Sequence, residues 1–243
     1  MNKKIMLGML VLALAFGMMV ASCGGDDDST FSFNPINPST LPSFDGDFVT
    51  DEDEARDIDD GAYYAVAVIL AEVLDLDLLY GGNIPSLSST FSDSSRFFDP
   101  VEENININHK GLTGHARISV SYTETGNTYN LRGNYDILIR VSGTYTDNYS
   151  GISYKVEGIA YEARANYSGS GNMVTGSMNM TGYVSLRSGY TITRLSDKVG
   201  MKLTSTLNMS MNINNQSGSV TGNASVKIFD NNNVEKYSWS EAF

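Results

Sequence analysis

The sequence predicts a mainly β protein with one helix. The expected architecture is an antiparallel meander of about seven strands, curled as a half-barrel or barrel around an N-terminal apolar helix. Three observations carry this reading. From about residue 113 onward, apolar residues recur at every second position. Short clusters of Gly, Asn, Asp and Ser separate these runs. Residues 51–80 instead place apolar side chains three and four apart.

The first 22 residues have the plan of an export signal. Lys3 and Lys4 precede an apolar run, Ile5 to Val20, and small residues lead to Cys23. The run is about 16 residues, short of the ~20 a spanning helix needs. Val20-Ala21-Ser22-Cys23 resembles the lipobox of bacterial lipoproteins. The resemblance implies removal of residues 1–22 and a lipid on Cys23, the one cysteine of the chain. It also implies a place in the bacterial cell envelope. Gly24-Gly25-Asp26-Asp27-Asp28 looks like the tether of surface lipoproteins in some bacterial groups, which favours the outer membrane or cell surface. In other groups an acidic residue after the cysteine signals retention in the inner membrane, the alternative place. A single cysteine has no partner for a disulfide within the chain, and lipidation accounts for it.

Residues 23–50 read as a lipidated, flexible tether. Gly24-Gly25-Asp26-Asp27-Asp28 begins it, and Asn34-Pro35, Asn37-Pro38 and Leu41-Pro42 break regular structure. Residues 51–110 read as a helix followed by an irregular segment. Thr50 is the expected cap, with Asp53 as its partner, and the acidic residues 51–54 suit the positive end of the helix dipole. Val66, Ile69, Val73 and Leu76 form the expected apolar stripe, and Gly81-Gly82 the stop. Glu72, Asp75 and Asp77 argue against a membrane span. Residues 83–110, rich in Ser and Asn, are read as irregular.

Residues 111–243 form the sheet and share one domain with 51–110. Ile118, Val120 and Tyr122 begin the alternation, and Val199 to Ile213 is its longest run. Turns are expected at 125–127, 147–148, 168–171, 188–189, 214–215 and 230–233. Near Gly158 the apolar phase shifts from Tyr154 and Val156 to Ile159 and Tyr161, which predicts a β-bulge. Tyr237 to Phe243 reads as a closing edge strand. Its polar neighbours would not face lipid, which excludes a membrane-embedded barrel.

Net charge is −12 and unevenly spread. Residues 1–110 carry 5 basic and 19 acidic groups, whereas residues 111–243 carry 11 and 9. Such a chain is not built for nucleic acid or anionic lipid surfaces.

The apolar face of the sheet is rich in methionine, a flexible side chain suited to adaptable pockets. Met178, Met180, Met201, Leu203, Leu207, Met209 and Met211 are therefore the candidate ligand face, the alternative being plain packing against the helix. His109 and His115 lack the further ligands a zinc site needs. The acidic stretch 51–60 lacks the spacing of a calcium loop. Gly169-Ser170-Gly171 is no nucleophile elbow. Glu157 and Glu162 point to opposite faces unless the bulge intervenes.

No cofactor and no catalytic residue is expected. The chain reads as a non-enzymatic envelope lipoprotein with a structural or interaction role. Its polar face of Ser, Thr, Asn and Tyr would meet an envelope protein or a glycan. The second reading is a carrier or sensor of a hydrophobic molecule, held between helix and methionine-rich face.

Overall fold

The computed structural model describes residues 32–73, 98–172, 174–214 and 217–243. The signal, the lipobox and Cys23 lie outside the described residues, as does the helix stop at Gly81-Gly82. Among the described residues the fold is mainly antiparallel β, with one α-helix, α1 (Glu52–Val73). Nine strands among them make one sheet. They are β1 (Asp47–Phe48), β2 (Phe98–His109), β3 (Leu112–Thr125), β4 (Thr128–Thr146), β5 (Ser153–Asn172), β6 (Ser177–Arg194), β7 (Val199–Asn214), β8 (Ser217–Phe229) and β9 (Glu235–Ala242).

Seven of these strands, β3 to β9, follow residue 111 as a meander, each paired antiparallel with the next. Three differences from the sequence reading have physical causes. Residues 98–109 are strand β2, not irregular. Ile105 and Ile107 alternate with asparagines there, a period of two that Asn's low strand propensity conceals. The turns expected at 168–171 and 188–189 lie inside β5 and β6. The chain reverses instead at 174–176 and 195–198. Finally, the sheet is open: β2 and β9 end the strand order, and no pairing joins them among the described residues. The sheet is neither closed nor strongly curled, so of the expected half-barrel or barrel around a helix only the antiparallel sheet with its helix is found.

The bulge does appear. Gly158 has φ +145, a value side chains rarely adopt. The β5–β6 register then shifts between Ile159 and Glu162. This extra residue restores Tyr161, Ala163 and Ala165 to the inner face, where all three are buried. It also puts Glu162 opposite Arg187, while Glu157 stands opposite Thr191. Both carboxylates thus share the outer face, and the Arg187 Nε donates to Glu162 at 2.8 Å.

Helix α1 packs on the inner face against β4, β5 and β6. Asp51, not Thr50, caps it: Asp51 Oδ1 accepts from the Glu54 backbone N–H at 2.9 Å. Glu54, not Asp53, completes the arrangement by accepting from the Thr50 N–H at 2.8 Å. The face turned to the sheet is Ala55, Ile58, Asp59, Ala62 and Ala65, each almost wholly buried. Small side chains let the helix axis approach the strands closely. Val66 of the expected stripe is only partly buried against this core. Ile58, with no exposed surface, contributes about 1.5–3 kcal/mol through burial. Polar ties hold the helix in place: the Tyr190 hydroxyl donates to Asp59 Oδ1 at 2.9 Å, and Arg194 Nη2 to Glu54 Oε1 at 2.5 Å.

The segment before the helix is no loose spacer. Residues 33–46 lie as a strap over the outer face of β6 and β7. The Phe33 N–H donates to Ser185 Oγ at 3.1 Å, and Arg187 Nη1 donates to the Asn34 carbonyl at 2.9 Å. Thr191 Oγ1 donates to the Pro42 carbonyl at 2.6 Å. Lys202 Nζ donates to Asn233 Oδ1 at 2.8 Å, with the Pro38 carbonyl at 3.5 Å. Ile36 sits over Gly189 and Phe44 over Gly200; a Cβ on Gly200 would stand 2.7 Å from the Phe44 ring. Thr191, Thr193, Lys202 and Thr204 belong to the polar phase of their strands, yet all are buried. The strap then enters the plane of the sheet. β1 pairs parallel with the start of β7, Asp47 with Val199, where β8 no longer reaches. There the chain passes from the outer face to the helix on the inner one.

Candidate functional site

Beyond the strap, the outer face of the same strands is open. Side chains alternate along a strand, and the register aligns the polar phase into rungs running across five strands. Arg132, Ser168, Thr181, Asn212 and Ser219 form one rung from β4 to β8. Asn134, Asn166, Tyr183, Ser210 and Thr221 form the next. Asn130, Ser170, Asn179 and Asn214 form a third across β4 to β7. Over the first two rungs lies a hollow of about 470 Å³. A second of about 350 Å³ adjoins it over the third, and the two share Arg132, Ser168, Thr181 and Asn212.

The lining has an unusual charge. Arg132 is the single charged residue lining either hollow, on a chain whose net charge is −12. Most of the other lining residues carry amides and hydroxyls, groups that both donate and accept hydrogen bonds, while Met211 edges the first hollow and Met180 and Ile213 the second. Ser168 and Thr181 meet at 3.2 Å across β5 and β6. Tyr183 is half-buried. Its hydroxyl donates to Asn208 Oδ1 at 3.2 Å, and Asn208 stands diagonally across on β7. The phenol therefore lies along the sheet rather than standing away from it. Partial burial raises its pKa, so the ring keeps a neutral hydroxyl donor. Asn208 Oδ1 also accepts from Ser185 Oγ at 2.7 Å, and Ser185 Oγ takes the Phe33 N–H. A hydrogen-bonded chain thus joins the end of the strap to Tyr183 of the hollow. The Phe33 ring lies beneath two guanidinium groups, Arg187 at 4.9 Å and Arg164 at 5.3 Å.

No carboxylate or histidine lines either hollow. His109 ends β2 and His115 stands opposite Asn106, away from the hollow. Among the described residues no three His, Cys, Asp or Glu side chains gather as metal ligands.

The candidate apolar ligand face divides in two. Met201, Leu203 and Leu207 are buried in the main core with α1. Met180 and Met209 join Tyr135, Ala165, Tyr167 and Val184 in a second cluster, with Met178 and Met211 partly buried against it. In both clusters tyrosines supply polar atoms. The Tyr135 and Tyr161 hydroxyls are buried with no hydrogen-bond partner. Burial raises both pKa values, so neither phenol ionises readily.

The hollow was not singled out in the sequence beyond the general polarity of the outer face. Its signal is there in retrospect: polar-phase positions on β5 to β8 near the 130–134 end are Ser, Thr, Asn and Tyr with no charge among those that line it. What a linear reading lacks is the register that sets them side by side.

No family model, curated protein or solved structure matches this chain. Among the described residues no helix is long and apolar enough to cross a membrane.

Proposed function

We propose that this protein is a lipid-anchored component of the bacterial cell envelope, held through Cys23 at the outer membrane or cell surface, with a non-enzymatic interaction role. The observation that carries the interaction role is the open polar hollow on the outer face of β4 to β8. On the other half of β6 and β7 the strap covers the polar phase; over the hollow nothing among the described residues does. The lipobox-like Val20-Ala21-Ser22-Cys23 supports the anchor. Two acyl chains on one cysteine would hold firmly, because each buried methylene is worth about 0.8 kcal/mol.

The carrier reading ranks second. It needs space against the methionine-rich face, where Met201 and Leu203 have no exposed surface. The two hollows are lined mainly by the opposite, polar phase.

The test has two arms. Cys23→Ala in the full chain should move the protein out of the membrane fraction or leave the leader uncleaved; unchanged membrane association refutes the anchor. Residues 24–243, made without leader or lipid, should co-sediment with isolated envelopes. Thr181→Trp, which fills the hollow from an exposed position, should abolish this. Retention that ignores Thr181→Trp refutes the hollow as the interaction surface.

A further inference from the structure

We infer that the hollow is a saccharide-binding platform that seats an extended oligosaccharide across the strands, one sugar over each. This deepens the proposed interaction role and rests on the outer face being the surface that meets the partner.

The first argument is the match of chemical groups. A sugar presents hydroxyls that donate and accept at once, and its ring carbons form a shallow apolar face. The rungs offer amides and hydroxyls with the same dual capacity. Tyr183 lies along the floor, its hydroxyl fixed on Asn208, and an aromatic ring in that attitude packs on C–H groups. Its hydroxyl is already engaged, so the ring can carry this contact without leaving a buried donor unmade.

The second argument is charge. The hollow answers with Arg132 alone and no anion, which suits a neutral or weakly acidic polyhydroxyl chain. The third is period. Neighbouring strands are spaced by ~4.8 Å, close to the advance of one residue in an extended β-1,4-linked saccharide. A rung of five aligned polar side chains, Arg132 to Ser219, therefore repeats in step with such a chain. A peptide laid the same way would advance by ~3.3 Å per residue and fall out of step. The absence of carboxylates from the lining means that the sugar is held and not cut.

The full-length protein, extracted in a detergent without sugar headgroups, is titrated calorimetrically. The probes are β-1,4-linked hexasaccharides of glucose, mannose, xylose and N-acetylglucosamine, with the matching disaccharides. At least one hexasaccharide should bind, and its disaccharide at least tenfold more weakly. Tyr183→Ala should weaken binding tenfold or more while Tyr183→Phe keeps it. Thr181→Trp should abolish it with an unchanged thermal melt, and no reducing ends should be released. Failure of all four hexasaccharides overturns the inference, as does binding that Thr181→Trp leaves intact. If the sugars fail but Thr181→Trp still removes retention on envelopes, the interaction surface stands and its saccharide ligand falls. If neither responds, both fall.

Discussion

The outer face of this sheet exists in two versions. On one half, residues 33–46 cover β6 and β7. On the other, the same strands run on with their polar phase open. In the covered half Thr191, Thr193 and Thr204 are buried, and those positions would be costly without partners. The strap supplies backbone carbonyls and apolar plugs, Ile36 and Phe44, over the glycines of the floor. In the open half the polar groups face water, pair with one another, or await a ligand. Alternation alone therefore does not say whether a polar phase is surface; what lies on it decides. The chain covers one half with its own extended segment and leaves the other half open.

That contrast can be broken in graded steps. The largest effect belongs beneath the strap, where β7 is covered on both faces. Leu203→Ala, at a site with no exposed surface, should cost about 2–5 kcal/mol in urea unfolding. A cost under half a kcal/mol would mean that this core is not packed as described. Next, Gly200→Val drives a side chain into Phe44 and the Ile192 carbonyl. It should cost about 1–3 kcal/mol and open residues 33–46 to limited proteolysis, which Gly218→Val in the open half should not. Thr191→Val removes the donor to the Pro42 carbonyl and should cost about 1 kcal/mol. Thr181→Val, exposed, should change stability by no more than about 0.5 kcal/mol.

Acid should separate the halves as well. The Glu54 carboxyl lies below its ordinary value of 4.5, chiefly because the Thr50 backbone N–H binds it, and Arg194 adds to this. Arg194 likewise lowers Asp197, and the Val234 N–H lowers Asp230. Each favours the folded state when ionised, so its contribution is complete above the unfolded pKa and is lost as pH falls through the folded one. Urea stability should decline below about pH 4.5, and Glu54→Gln should flatten that decline. Ligand binding in the hollow, whose charged lining is a single Arg132, should stay level between about pH 5 and 9. A binding profile that titrates in this window would point to a group outside the hollow.

Much of the frame was legible. Alternation from residue 113 marks seven strands, though the clusters at 168–171 and 188–189 lie inside strands and misplace two of the turns, and the phase shift at Gly158 marks the bulge. The helix start was legible to within a residue, but not its cap, because Thr50, Asp51 and Asp53 are all plausible by type and only geometry chose Asp51. β2 was hidden by its asparagines. The strap was read as linker because Pro35, Pro38 and Pro42 forbid a ladder of backbone bonds. Proline-rich extended chain is compatible both with solvent and with lying on a surface. The interspersed Phe33, Ile36, Leu41 and Phe44 were the clue, since a solvated spacer has no use for them. Closure failed to follow from patterning for a simple reason: a one-faced sheet can be satisfied by a helix without joining its edges.

The strap also has a mechanical consequence. It is held at its far end by Phe33, under two guanidinium groups, and at its near end by β1 in the plane of the sheet. Tension on the chain upstream of Phe33 would load these attachments one after another, as in peeling tape, and not all together. Each released residue adds up to ~3.5 Å of length, so residues 33–46 would give out up to ~50 Å before β1 and the helix cap felt the load. The strap is thus a length of chain on the back of the domain that such a pull would lengthen before it reached the core.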